Sequence, residues 1–130
     1  MRKASLSINI HDLSKAGLKA FFRIADLWGL NNEQQILLLG TTRSTFYKWK
    51  ADQDGRLSKD TLERLSYLLG IYKALQLLLP TEAAADAWIK KKNSAPLFHG
   101  ESALDRMLKG HVVDLYVVRQ FLDAQRGGWG

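Results

Sequence analysis

The sequence contains no cysteine, which removes disulfides, thiolate nucleophiles and sulfur-ligated metals, and fits a reducing compartment. Proline is scarce, present only as Pro80 and Pro96, so long stretches are free to run as uninterrupted helix. Long apolar runs are also missing. Stretches such as Ile36–Leu39 and Leu77–Leu79 are far too short for a membrane span, and no signal-peptide core follows the basic Arg2 and Lys3. A cytoplasmic protein without membrane attachment is expected.

The usual chemistry of a catalyst is absent as well. The histidines, His11, His99 and His111, stand far apart, and none has a second ligand at metal spacing. Carboxylates are scattered, without a pair arranged for acid–base work. Gly127-Gly128 lies near the C-terminal end rather than between a strand and a helix, so it is not a phosphate loop. The expectation is a protein that is not an enzyme and needs no cofactor or metal.

What is present is an ordinary globular composition, 46% hydrophobic and 25% charged, over 130 residues. That length suits one compact domain, or two small helical units sharing a core. The net charge is +6, and the excess is uneven: nine Lys/Arg against five Asp/Glu up to Arg56, ten against eight beyond it. Such an excess favours a polyanionic partner through counterion release, although many basic proteins never touch nucleic acid.

Apolar spacing predicts an all-α chain. Leu13, Gly17, Ala20, Phe21, Ile24, Leu27 and Trp28 mark a first helix, with Asp12 expected at its cap and Gly29 at its end. A second opens at Asn31 or Asn32 and stops at Gly40; Thr41 or Thr42 then caps a short third helix carrying Phe46 and Trp49. Asp54-Gly55 reads as the next breaker. From Ser58 to Pro80 runs the most periodic helix, its stripe being Leu62, Leu65, Leu69, Tyr72, Leu75 and Leu79, and Gly70 within it predicts a close crossing or a bend. A helix over Thr81–Lys91 is expected to bury Ala84, Ala87 and Trp88, with a loop over Lys90–Gly100 and a short helix from Ser102 to Gly110. His111–Ala124 holds valines that favour strand, yet Val112, Leu115, Val118 and Leu122 keep helical spacing; with no strand to pair, helix is expected. The tail Arg126-Gly127-Gly128-Trp129-Gly130 is expected to be unstructured in isolation.

The segment Gln35–Trp49 has the layout of a helix-turn-helix. Ile36 and Leu39 anchor a first helix, Gly40 makes the turn, and Phe46 with Trp49 anchor a second. That leaves Thr42, Arg43, Ser44, Tyr47, Lys48 and Lys50 facing outward. Arg43 has the chemistry to read guanine edges, Thr42, Ser44 and Tyr47 to donate to phosphates or bases, and Lys48 and Lys50 to neutralise phosphates. The alternative is an ordinary helix pair with a solvated face.

From Leu65 onward the sequence resembles the MbcA/ParS/Xre antitoxin group. The resemblance is carried by Leu65–Leu75 with its Gly70-Ile71-Tyr72 centre, by Trp88, by Pro96-Leu97-Phe98-His99-Gly100, and by the Ser102–Leu108 helix, where Ala103 stands in place of a frequent proline. It covers roughly residues 60 to 128, and an Xre-like helix-turn-helix extends it to about residue 20. The resemblance implies a helix-turn-helix region over residues 1–57 and a helical toxin-binding domain over 58–130, joined by a helix of about 58–79. It also implies a partner from the RES-domain toxins, which consume NAD, and repression of a shared operon by binding operator DNA. A homodimer is expected from two-fold half-site reading, with the leucine-rich helix as a contact. Phe121 and the tail, Arg126, Gly127, Gly128, Trp129 and Gly130, are the expected toxin-binding residues: glycines let a chain enter a cleft and tryptophan fills a pocket. A frayed end without a role is the alternative for the tail, and Tyr72 and Trp88 are expected in the core rather than at an interface. Lys90-Lys91-Lys92 is expected to be a solvated helix end. The rival readings are a stand-alone helix-turn-helix regulator controlled by a small ligand, and an interaction module that no longer binds DNA.

Overall fold

The computed structural model describes residues 10–128. Among them are seven α-helices, one 3-10 turn and no strand: α1 (Ile10–Trp28), α2 (Asn32–Leu39), α3 (Arg43–Asp52), α4 (Lys59–Leu78), α5 (Glu82–Trp88), the 3-10 turn Pro96–Phe98, α6 (Ala103–Met107) and α7 (Val112–Gly128).

Most starts are written locally. Asn31, Thr42, Ser58, Thr81 and Ser102 each sit in extended backbone and accept a hydrogen bond from the amide three residues on. Each such cap satisfies one of the donors a helix leaves open at its N-terminus and is worth about 1 kcal/mol. Asn31 with Gln34, and Ser102 with Asp105, complete reciprocal capping boxes. Asp12 is not a cap: it lies within α1, which is helical from the first described residue, Ile10.

The stops are more varied. Gly40 ends α2 at φ 64°, ψ 35°, a left-handed conformation that glycine adopts without steric cost. At the end of α3 that conformation falls to Gln53, φ 55°, whose side-chain amide donates to the Lys50 carbonyl at 3.0 Å. Gly55 instead lies close against the Trp49 indole, where a Cβ would collide. The breaker is therefore Gln53, and Gly55 serves close packing.

α4 is the centre of the molecule and packs against α1, α2, α5 and α7. Its neighbours surround it, so its buried apolar set is Leu65, Leu68, Ile71, Ala74 and Leu75, while the expected Leu62, Leu69, Tyr72 and Leu79 are half-buried flanks. Most of these apolar positions are used within the chain, while Leu77 is exposed on the same helix. Gly70 is the expected close crossing: the Arg119 guanidinium of α7 occupies the space a Cβ would need. α5 turns its Ala85, followed by Ile89, inward; Ala84 and Trp88 are half-buried and Ala87 is exposed. The expected face was thus one residue out of phase.

The 90–102 loop is tied rather than loose. Lys92 and Ser102 form an isolated antiparallel bridge, and the Asn93 amide donates to the Glu101 carbonyl at 2.9 Å. Lys90 is engaged too, its Nζ donating to the Gly29 carbonyl at the end of α1 at 3.2 Å. α7 is helical through Gly128, so Arg126, Gly127 and Gly128 continue the helix and do not form a loose tail. Trp129 and Gly130 lie outside the described residues.

Candidate nucleic-acid and partner-binding surfaces

Phe46 and Trp49, three residues apart on α3, are buried in the core beneath the helix. Phe46 packs edge-on against Phe22 of α1, with ring centroids 6.0 Å apart. Their burial fixes the rotation of α3 about its axis. Arg43, Ser44, Tyr47, Lys48 and Lys50 are exposed as a result, and Thr42 is exposed at the cap. All six candidate DNA-binding residues therefore lie on one outward surface.

That surface is braced by the first turn of α2. Lys50 Nζ donates to Asn32 Oδ1 at 2.9 Å, and Asn32 Nδ2 donates to the Tyr47 hydroxyl oxygen at 3.1 Å. Arg43 pairs with the Glu33 carboxylate and lies over the Tyr47 ring, 5.8 Å from its centroid. With its oxygen accepting from Asn32, the Tyr47 hydroxyl keeps its proton for an outside acceptor. Thr42 is different, since its hydroxyl donates to Thr45 Oγ1 at 2.9 Å and caps α3. Its geometry is that of a helix cap.

The turn between α2 and α3 is held from a distance. Thr61 Oγ1 donates to the Leu39 carbonyl at 3.2 Å, and Arg64 Nη1 donates to the Leu37 carbonyl at 3.3 Å. Arg64 is buried over Gly40 and fixed by Asp60 Oδ2 at 2.9 Å. A cation at a helix C-terminus opposes the negative end of the dipole, and these bonds satisfy carbonyls that α2 leaves open. Sequence reasoning missed Thr61 and Arg64; the Asp60–Arg64 spacing of four was the available sign.

In the second half, Trp88, Phe98 and Phe121 form an aromatic triad. Trp88 stacks on Phe121 at 6.3 Å, and Phe98 meets Phe121 edge-on at 5.2 Å. Phe121 is half-buried and separates two surface grooves. One, about 200 Å³, is lined by Leu75, Leu78, Trp88, Leu122 and Gln125; the other by Leu97, Val117, Gln120 and Ala124. Arg126 is exposed near Asp123, 3.8 Å away, and Gly127 is exposed with open space around it. The structure thus separates the described part of the expected toxin-binding set: Phe121 belongs to the aromatic cluster, and Arg126, Gly127 and Gly128 continue the helix beyond it.

This half is pinned by Asp114, which is buried. Its Oδ1 accepts from Arg106 Nε at 2.9 Å and its Oδ2 from the His111 amide at 3.1 Å, while Arg106 Nη1 donates to the Leu97 carbonyl at 3.3 Å. Burial pushes the Asp114 carboxyl upward, but the hydrogen bonds from Arg106 and His111 outweigh it and hold the group below its ordinary value. Sequence reasoning missed this pair as well.

Two family models match the chain, the antitoxin Xre-like helix-turn-helix domain over residues 8–70 and the antitoxin Xre/MbcA/ParS C-terminal toxin-binding domain over residues 74–128. The chain belongs to the Xre/MbcA/ParS antitoxin family. The braced surface of α3 lies within the helix-turn-helix part of this antitoxin, and the aromatic triad and Asp114 within the toxin-binding part. The uncharacterized protein y4oB of Sinorhizobium fredii (strain NBRC 101917 / NGR234) is 58% identical over 114 residues, which cover 87% of this chain and 86% of that protein. Among the described residues no helix is long and apolar enough to cross a membrane.

Proposed function

We propose that this antitoxin binds and inhibits a cognate RES-type, NAD-consuming toxin and represses its own operon through operator DNA, acting in the cytoplasm as a homodimer. The observation that carries the reading is the succession of two antitoxin domains in one chain, the first presenting an exposed basic and polar α3. The RES identity rests on the resemblance over residues 60 to 128. In this reading Arg43 contacts base edges, Ser44, Tyr47, Lys48 and Lys50 contact phosphates or bases, and Thr42 chiefly caps the helix. The division into a DNA-binding region over 1–57 and a toxin-binding domain over 58–130 belongs to the same proposal, with α4 shared between them.

The C-terminal end of α7, with Phe121 at its base, is the element we assign to obstructing the toxin's NAD site. Because α7 is helical through Gly128, it approaches the toxin as a helix end bearing Arg126, with Trp129 and Gly130 beyond. Co-expression with an adjacent RES-type gene should yield a copurifying complex that does not consume NAD. Deleting Arg126–Gly130 should restore NAD consumption; inhibition that persists in the deleted chain removes the C-terminal block, and failure to copurify removes the RES partner.

The rival, a regulator controlled by a small ligand, needs an enclosed site in the second half. Of the two grooves beside Phe121, one of about 200 Å³ is below the roughly 300–1,000 Å³ usual for such ligands, and the other, about 480 Å³, is an open surface groove rather than an enclosed site. Among the described residues no specific feature favours that reading.

A further inference from the structure

The residues that brace α3 belong to α2, and one of them carries the wrong charge for a DNA-binding surface. Glu33 stands in the first turn of α2, yet the cap of that helix is completed by Asn31 and Gln34, so its carboxylate is not needed there. It is spent on Arg43 instead. Both side chains are more than half exposed, 62% for Arg43 and 64% for Glu33, so the pair is accessible to a competing anion. Asn32 meanwhile holds Tyr47 and Lys50 through its uncharged amide, which leaves the Lys50 charge without a counter-charge from α2. Of the α3 side chains braced by α2, Arg43 alone is neutralised.

We infer that Glu33 is an internal competitor that withholds Arg43 from the phosphates of DNA. The inference rests on the reading of α3 as a DNA-binding helix. A lone phosphate offers Arg43 little more than the carboxylate already does, and releasing Arg43 leaves Glu33 bare beside a polyanion. On an unrelated duplex the pair therefore stays closed, and Arg43 displaces no counterion. A correctly placed guanine offers two parallel acceptors, O6 and N7, which a single carboxylate contact on the protein surface does not match in geometry or desolvation. The pair opens there. Because the guanine contact must also open the pair, Glu33 lowers affinity for duplexes with and without the guanine.

The probe is a fluorescein-labelled 30-base-pair duplex of random sequence, titrated with the full chain by anisotropy between 50 and 200 mM NaCl. Wild type, Glu33→Gln, Arg43→Ala and the double variant are compared, with Glu33→Ala as a second neutral replacement and circular dichroism melts to check folding. With Arg43 released, Glu33→Gln should bind on the order of fivefold more tightly, the scale of one exposed ion pair. Its plot of log affinity against log salt should steepen by about 0.9, one further phosphate. In the Arg43→Ala background the same substitution should give a smaller gain, from relief of repulsion alone, without the steeper slope. An equal gain in that background means that Glu33 acts only as general repulsion and overturns the inference, as does the absence of any gain. Absence of binding by both wild type and Glu33→Gln overturns the DNA-binding reading and this inference with it, whereas wild-type binding without a gain overturns the inference alone.

Discussion

The two candidate surfaces stand in opposite relations to the core. On α3, burial and exposure are divided residue by residue: Phe46 and Trp49 face in, while Arg43, Ser44, Tyr47, Lys48 and Lys50 face out. On α7, one side chain does both tasks, since Phe121 is half-buried in the triad with Trp88 and Phe98 and also walls both grooves. A polar surface read by an outside partner need not help to hold the fold. An apolar one is made from the edge of the core, so changing it changes stability as well. The comparison can be tested by substitutions that separate stability from binding.

The largest effect is expected at Asp114, where the second half is joined internally. Asp114→Ala removes the acceptor of Arg106 and of the His111 amide, leaving a guanidinium whose side chain is only 21% exposed without its carboxylate. Breaking a largely buried ion pair costs about 3 kcal/mol, measured as a shift of the urea midpoint. The same group sets an acid limit. Its folded-state value lies below the unfolded one, so its contribution is complete above the ordinary carboxylate range and is lost as pH falls through the folded value. Wild type should therefore lose stability on acidification below about pH 4 more steeply than Asp114→Ala. Parallel pH profiles would show that the carboxylate contributes no pH-linked stability.

Phe121→Ala comes next and tests the dual role directly. A fully buried phenylalanine costs about 3–5 kcal/mol on truncation, so a half-buried one should cost about 2 kcal/mol. Toxin copurification should fall in step, and Phe121→Leu should recover most of the stability but less of the binding. If Phe121→Ala leaves the urea midpoint unchanged while abolishing copurification, the surface is independent of the core and the contrast between the halves fails.

These expectations use features that the sequence shows unequally. Helix starts were legible at Asn31, Thr42 and Ser102, because a cap is a bond between a side chain and an amide three residues away. The outward set on α3 was legible for the same reason: two aromatic anchors at helical spacing fix the remaining faces. The rotation of α4 was not, since a helix with neighbours on several sides buries more than one stripe and its apolar pattern has no single direction. Nor were the bonds from Thr61 and Arg64 to α2, or from Arg106 to Asp114, which depend on how helices meet. The continuation of α7 through two glycines ran against local propensity, and the Glu33–Arg43 link crosses from one helix to the next.

The smallest stability effect is expected on α3. Arg43→Ala and Lys48→Ala alter exposed side chains, and such substitutions usually change stability by within about 0.5 kcal/mol. Arg43 forms an ion pair with Glu33, but exposed pairs contribute only about 0–1 kcal/mol, so its loss stays near that limit. Binding should respond otherwise. Lys48→Ala should weaken every duplex alike and lower the salt slope by about 0.9, the share of one phosphate. Arg43→Ala should weaken the preferred sequence more than others, since a bidentate guanine contact discriminates by about 1–3 kcal/mol. Sequences selected from a random duplex library by wild type, then titrated with each variant, separate the two. If Arg43→Ala weakens selected and random duplexes by the same factor, Arg43 is a phosphate contact only, and base reading must be sought at Ser44 and Tyr47.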